Sequence, residues 1–95
     1  MNISSFHQET KEVDVKAIFQ DISGTTLSIQ ILAGARFDKH QTKIPAVLLC
    51  LKGHAKYEDE NGHIEFLNSG DFMDIKINLT HWIDAIETCQ LILFK

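Results

Sequence analysis

Lys56-Tyr57-Glu58-Asp59-Glu60-Asn61-Gly62-His63-Ile64-Glu65-Phe66 is the stretch that decides the fold class. Asn-Gly between two short alternating runs calls for a tight hairpin, with a type I′ turn whose two central residues both take positive φ. Asn68-Ser69-Gly70-Asp71 supplies another turn just beyond it. Outward from there, apolar and β-branched stretches recur roughly every eight to twelve residues between Gly, Asn and Asp, the rhythm of a sandwich or barrel. Strands are expected over Thr25–Ala33, Pro45–Leu51, Ala55–Glu58, His63–Leu67, Asp71–Ile75, Thr80–Ile86 and Cys89–Phe94. Val13–Phe19 reads either as a strand or as a short helix after Asp14, with Val15, Ile18 and Phe19 on one face. Pro45, the one proline, opens a strand, where a missing N–H costs least. Nothing sustains a helical period. The chain is expected to be all-β and antiparallel.

The bulk composition agrees. With 95 residues, 44% hydrophobic and 23% charged, the chain has room for one core and the make-up of a globular domain. Residues 13–95 are read as that domain and residues 1–12 as an N-terminal segment free to move. The net charge is −4 and the nine basic residues are scattered, so neither a nucleic-acid nor a membrane partner is expected. Met1–Thr10 is polar, and the longest apolar run, Ile44–Leu51, is too short to cross a bilayer. Cys50 and Cys89 lie far apart in apolar stretches, as buried free thiols would. A cytoplasmic location is the expectation.

Between Gly34 and Ala85 the spacing resembles the two motifs of the cupin superfamily. The first runs Gly, five residues, His, one, His, three or four, Glu, six, Gly. Gly34, His40 and Gly53 hold their places, while Thr42 stands at the second His and Ala46 at the Glu. The second runs Gly, five residues, Pro, one, Gly, two, His, three, Asn. Gly70 and His81 hold their places, with Lys76, Asn78 and Ala85 at the other three. Asn78 is the residue best able to replace a turn glycine. The resemblance implies a small cupin-type β-barrel, a double-stranded jelly roll, and a homodimer.

A full cupin site would offer three imidazoles and a carboxylate to Fe, Mn, Ni or Zn. Here His40 and His81 are the only metal-ligand candidates left, and the reading is that no cofactor binds unless Asp38 or a substrate completes the shell. His63 is expected in solvent, His7 in the mobile segment, and His54 outside the cavity. Glu58-Asp59-Glu60 reads as a solvated hairpin tip. No nucleophile motif or phosphate-binding loop is present.

Strand alternation assigns the faces. If His81 points inward, Ile83 and Ala85 share its side and Trp82, Asp84 and Ile86 do not. If position 46 points inward, so do Leu48 and Cys50. The expected ligand cavity is thus His40, Thr42, Leu48, Cys50, His81, Ile83 and Ala85, with Arg36 at the mouth to meet a carboxylate. Val47, Leu49 and Leu51 would be bare outside, covered by a second copy or by the segment around Val13–Phe19. Three functions compete: a binder of a small organic molecule without an intact metal site, a small metal-dependent enzyme of dioxygenase, isomerase or decarboxylase type, and a purely structural dimerisation module.

Overall fold

A computed structural model describes residues 1–95. Its elements are a single helical turn, α1 (Ile3–Phe6), and seven strands: β1 (Val13–Asp21), β2 (Gly24–Ile31), β3 (Arg36–His40), β4 (Ala46–Asp59), β5 (Ile64–Asn68), β6 (Phe72–Ile75) and β7 (His81–Phe94). Every pairing is antiparallel. The chain is all-β, as the turn rhythm predicted, and a jelly roll, as the resemblance implied. No helix is long and apolar enough to cross a membrane.

Two 14-residue strands, β4 and β7, pair along most of their length and belong to both layers. The first half of β4 also pairs with β6, and its second half with β5. The first half of β7 also pairs with β3, and its second half with β2, which carries β1 on its far edge. One layer is therefore β1-β2-β7-β4-β6 and the other β3-β7-β4-β5. A core of apolar side chains fills the space between them, with Ile29, Ile31, Leu48, Cys50, Leu67 and Leu91 among its most buried members.

The sequence breaks β4 and β7 into two strands each, and the physical reason lies at the bend. In β4 the buried side chains are Ala46, Leu48 and Cys50, then Ala55, Tyr57 and Asp59, so the inward positions change from even to odd. The register slips between Cys50 and Ala55 produce that change, since an extra residue turns every later side chain to the other face. Gly53 sits in the slip at φ +95°, where a Cβ would collide with the Thr88 carbonyl and lie 2.7 Å from the Cys89 Cα. In β7 alternation ends at Ile86, Glu87 and Thr88, all exposed, and Cys89–Ile92 are then buried on both faces.

Three other local expectations are corrected. Gly62 alone takes positive φ in the β4–β5 hairpin. The Gly62 amide donates to the Asp59 carbonyl at 3.0 Å and the Asp59 amide to the His63 carbonyl at 3.1 Å. This is a type I turn closed by a left-handed glycine rather than type I′. Val13–Phe19 is strand, and it extends the sheet sideways beyond β2 instead of covering Val47, Leu49 and Leu51. The β3 strand was missed because Arg36-Phe37-Asp38-Lys39-His40 has only one apolar residue to show alternation. Asn78 does take the left-handed turn, at φ 59°.

The N-terminal segment is tied down. His7 is buried, its Nδ1 3.0 Å from Asp14 Oδ2 and its Nε2 2.7 Å from Ser28 Oγ. Gln30 reaches the Gln8 carbonyl and Gln90 reaches Gln30, each at 3.3 Å. Lys16 Nζ donates to the Phe6 carbonyl at 2.8 Å. This buried, fully bonded polar seam holds residues 2–8 on the outer face of β1 and β2.

Candidate ligand site

The β3–β7 pairing places His40 directly opposite His81, with ring centroids 4.2 Å apart. The two belong to a column of rings: Phe37 stacks on His40 at 4.4 Å, and Tyr57 stacks on His81 at 5.4 Å. His40 is part-exposed and His81 is 3% exposed.

Each ring is oriented by a backbone carbonyl two residues earlier. His40 Nδ1 lies 2.8 Å from the Asp38 carbonyl and His81 Nδ1 lies 3.0 Å from the Leu79 carbonyl. A carbonyl only accepts, so Nδ1 carries a proton and donates, and Nε2 is the atom that offers a lone pair whenever the ring is neutral. Neither Nε2 has a hydrogen-bond partner, and no buried polar side-chain atom is sealed away unpaired. The lone pairs are therefore reachable. Burial pushes the His81 pKa down, the neighbouring His40 adds to that, and the Leu79 carbonyl and Asp59 partly offset it. His81 is a neutral acceptor at neutral pH.

The histidines open on a cavity of about 50 Å³. Its wall includes all four positions of the motif register at which a full site would place ligands: His40, Thr42, Ala46 and His81. Leu48 and Ile83 line it too, whereas Cys50 and Ala85 point into the same interior but are packed in the core away from the cavity. Phe37, Ile29 and Ile75 complete the apolar wall, and Gln41 and Lys95 stand among the polar residues at its edge. None of these five was expected. Phe37 and Gln41 lie on or beside the missed β3, and Lys95 is brought round by the β2–β7 pairing, at whose end the Lys95 amide donates to the Thr25 carbonyl at 2.9 Å.

Several polar residues lie elsewhere than their sequence context suggested. Arg36 is not at the mouth: it forms a two-point ion pair with Asp84, at 2.7 and 3.1 Å, on the outer face. Alternation could have found this, because Asp84 was already assigned outward. Asp59 is not a solvated tip residue. It is 6% exposed, pairs across the sheet with His81, and accepts the amides of Asn61 and His63 through Oδ1 at 2.9 and 3.2 Å. His63 is exposed beside Glu65, at 3.1 Å, and His54 bonds Asn68 Oδ1 at 2.6 Å on the outside. His7 is outside the cavity, in the clamp described above.

A transition metal does not fit this donor set. Two imidazoles converge, but Thr42 is a weak neutral ligand and Ala46 none, and Asp38 offers its carbonyl to the His40 ring while its carboxylate takes the Lys39 amide at 2.8 Å. No group of three or more His, Cys, Asp or Glu is placed to hold a metal ion.

No family model matches the sequence, and no curated protein does. Solved structures do. A cupin superfamily protein from Desulfitobacterium hafniense superposes with a TM-score of 0.87 at 14% identity, over 98% of this chain and 84% of that one. An uncharacterised protein with a double-stranded β-helix domain from Klebsiella pneumoniae gives 0.85 at 14% identity, over 99% and 85%. KdgF from a Halomonas species gives 0.80 at 19% identity, over 99% and 90%. At such identities the likeness concerns backbone architecture, and the architecture is unambiguous: this chain has the cupin fold, the double-stranded β-helix of that superfamily.

Proposed function

We propose that the protein binds a small organic molecule in the barrel without a metal ion, using Nε2 of His40 and His81 as paired acceptors. The observation that supports this is the meeting of two carbonyl-oriented imidazoles, each with a free Nε2, at one largely apolar cavity. Two imidazole acceptors side by side suit a donor group such as a hydroxyl, amide or protonated acid on an otherwise apolar ligand. The volume restricts the guest: about 50 Å³ accepts a head group of a few heavy atoms, against the roughly 300–1,000 Å³ of ordinary ligand sites.

The test is a fragment screen by NMR, reading the backbone amides of His40, Thr42 and His81. Saturable shifts from donor-bearing fragments, lost in a His40→Ala, His81→Ala double variant that still folds, are expected. Stoichiometric iron, manganese, nickel or zinc in untagged protein, lost in the same variant, would overturn this reading and support a small metal-dependent enzyme instead. We also propose that the protein is a homodimer joined through the outer face carrying Leu49 and Phe72.

A further inference from the structure

The cavity at the histidines is not the roomiest concavity beside them. A cleft of about 390 Å³ lies between the β4–β5 hairpin and β6, lined by Tyr57, Asp59, His63, Glu65, Asp74 and Lys76 among others. Its size falls within the range of small-molecule sites, roughly 300–1,000 Å³.

Two of its polar groups are nine-tenths buried and incompletely bonded. Tyr57 is 2% exposed and its hydroxyl makes no hydrogen bond; Asp59 spends Oδ1 on the hairpin amides, and its Oδ2 has no partner. No buried side-chain polar atom in the chain is sealed without a partner, so both atoms open into the cleft they line. Keeping a phenol and half a carboxylate largely stripped of water and unpaired is unfavourable, and a ligand that bonds them would recover that loss.

The charges select the ligand's sign. Asp59, Glu65 and Asp74 face Lys76 and the His63 ring, whose Nε2 lies 3.1 Å from Glu65 Oε2, and neither Asp74 nor Lys76 takes part in an ion pair within the fold. The Tyr57 pKa is pushed up to about 12, first by burial and then by Asp59 and Glu65, so the phenol stays a neutral hydrogen-bonding group in a negative field.

We infer that this cleft binds a small organic ammonium compound, whose cationic nitrogen meets Asp59, Glu65 and Asp74 and which hydrogen-bonds to the Tyr57 hydroxyl. This goes beyond the reading of the histidine cavity and does not depend on it. The experiment is amide chemical-shift titration of the folded full chain with glucosamine, cadaverine, glucose and glucuronate. Glucosamine, glucose and glucuronate differ chiefly in charge at matched size, and cadaverine carries ammonium without a sugar ring. Glucosamine and cadaverine should give saturable shifts at Tyr57, Asp59, His63 and Asp74, while glucose and glucuronate should not. Asp59→Asn, which keeps an acceptor for the hairpin amides, and Asp74→Asn, on a more exposed position, should each weaken glucosamine binding about tenfold, equivalent to ~1.4 kcal/mol. Equal response to glucose or glucuronate, no saturable shift from either ammonium compound, or unchanged binding in both Asn variants would overturn the inference. Shifts confined to His40, Thr42 and His81 would do the same while leaving the reading of the other cavity intact.

Discussion

His81 is a histidine whose burial decides its chemistry. Its folded pKa lies below the ordinary 6.5, chiefly because the charged ring would be desolvated. With the folded pKa depressed, the neutral ring's contribution is fully present above pH 6.5 and is lost as pH falls from there through the folded value. Thermal midpoints should therefore drop as pH is lowered from neutral towards 5, and His81→Gln should flatten that slope; an unchanged slope would place the loss elsewhere. The thiols make a second case. Burial pushes Cys50 up and Cys89 up to about 12, so neither forms much thiolate near pH 8. Ellman's reagent should find no reactive thiol in the native chain and both after denaturation. That these cysteines are buried was legible in their apolar neighbours. That Asp59 is buried was not, because the polar run Glu58-Asp59-Glu60 looks the same whether or not another strand lies beside it.

Strands and segments obey a different logic, since their geometry depends on partners. At the β4 bend Gly53 is held against Thr88 and Cys89 of β7, so a side chain there meets backbone as well as an unfavourable φ. Gly62, with nothing within 4 Å of a built Cβ, faces the φ penalty alone. Gly53→Ala should cost about 3 kcal/mol or more and Gly62→Ala about 1 kcal/mol by denaturant unfolding. Comparable losses would mean that β4 does not approach β7 so closely. The N-terminal clamp is the other element-scale feature. Its Asp14–His7–Ser28 order matches that of an acid–base–nucleophile triad, but Ser28 is fully buried and no substrate can reach its hydroxyl. It acts as a fastener. His7→Ala leaves a buried carboxylate and hydroxyl short of a partner, so a loss of about 1–3 kcal/mol is expected, with faster amide exchange over residues 2–8. The sequence pointed to strands but offered no sign of this clamp, because its three members are spread over 21 positions and one sits in a polar tail.

Across the whole molecule, one outer face carries apolar side chains in register. Phe72, Leu49 and Ile92 form one cross-strand row, with Val47 and Phe94 in the next. Phe72 is 71% exposed, and Phe94 and Leu51 stand out beside it. Large apolar side chains left in water forgo roughly 1.5–3 kcal/mol each, which favours a second copy over this face. Phe72→Asp should turn a dimer into a folded monomer by light scattering with column separation; a wild-type monomer at micromolar concentration would sink the proposal.

Local physics alone determined a good part of this protein. Period-two alternation, turn glycines and Asn78 specify antiparallel strands and tight turns, because side-chain direction and permitted φ are properties of neighbouring residues, and the spacing from Gly34 to Ala85 added the resemblance to the cupin motifs. Only the tertiary structure decided that β4 and β7 are shared between layers, that Arg36 is spent on Asp84, that His7 is locked away, and that Tyr57 and Asp59 stand beside His81. Each of those depends on what lands opposite a residue from a distant part of the chain, and burial, pairing and cavity volume exist only once that partner is in place.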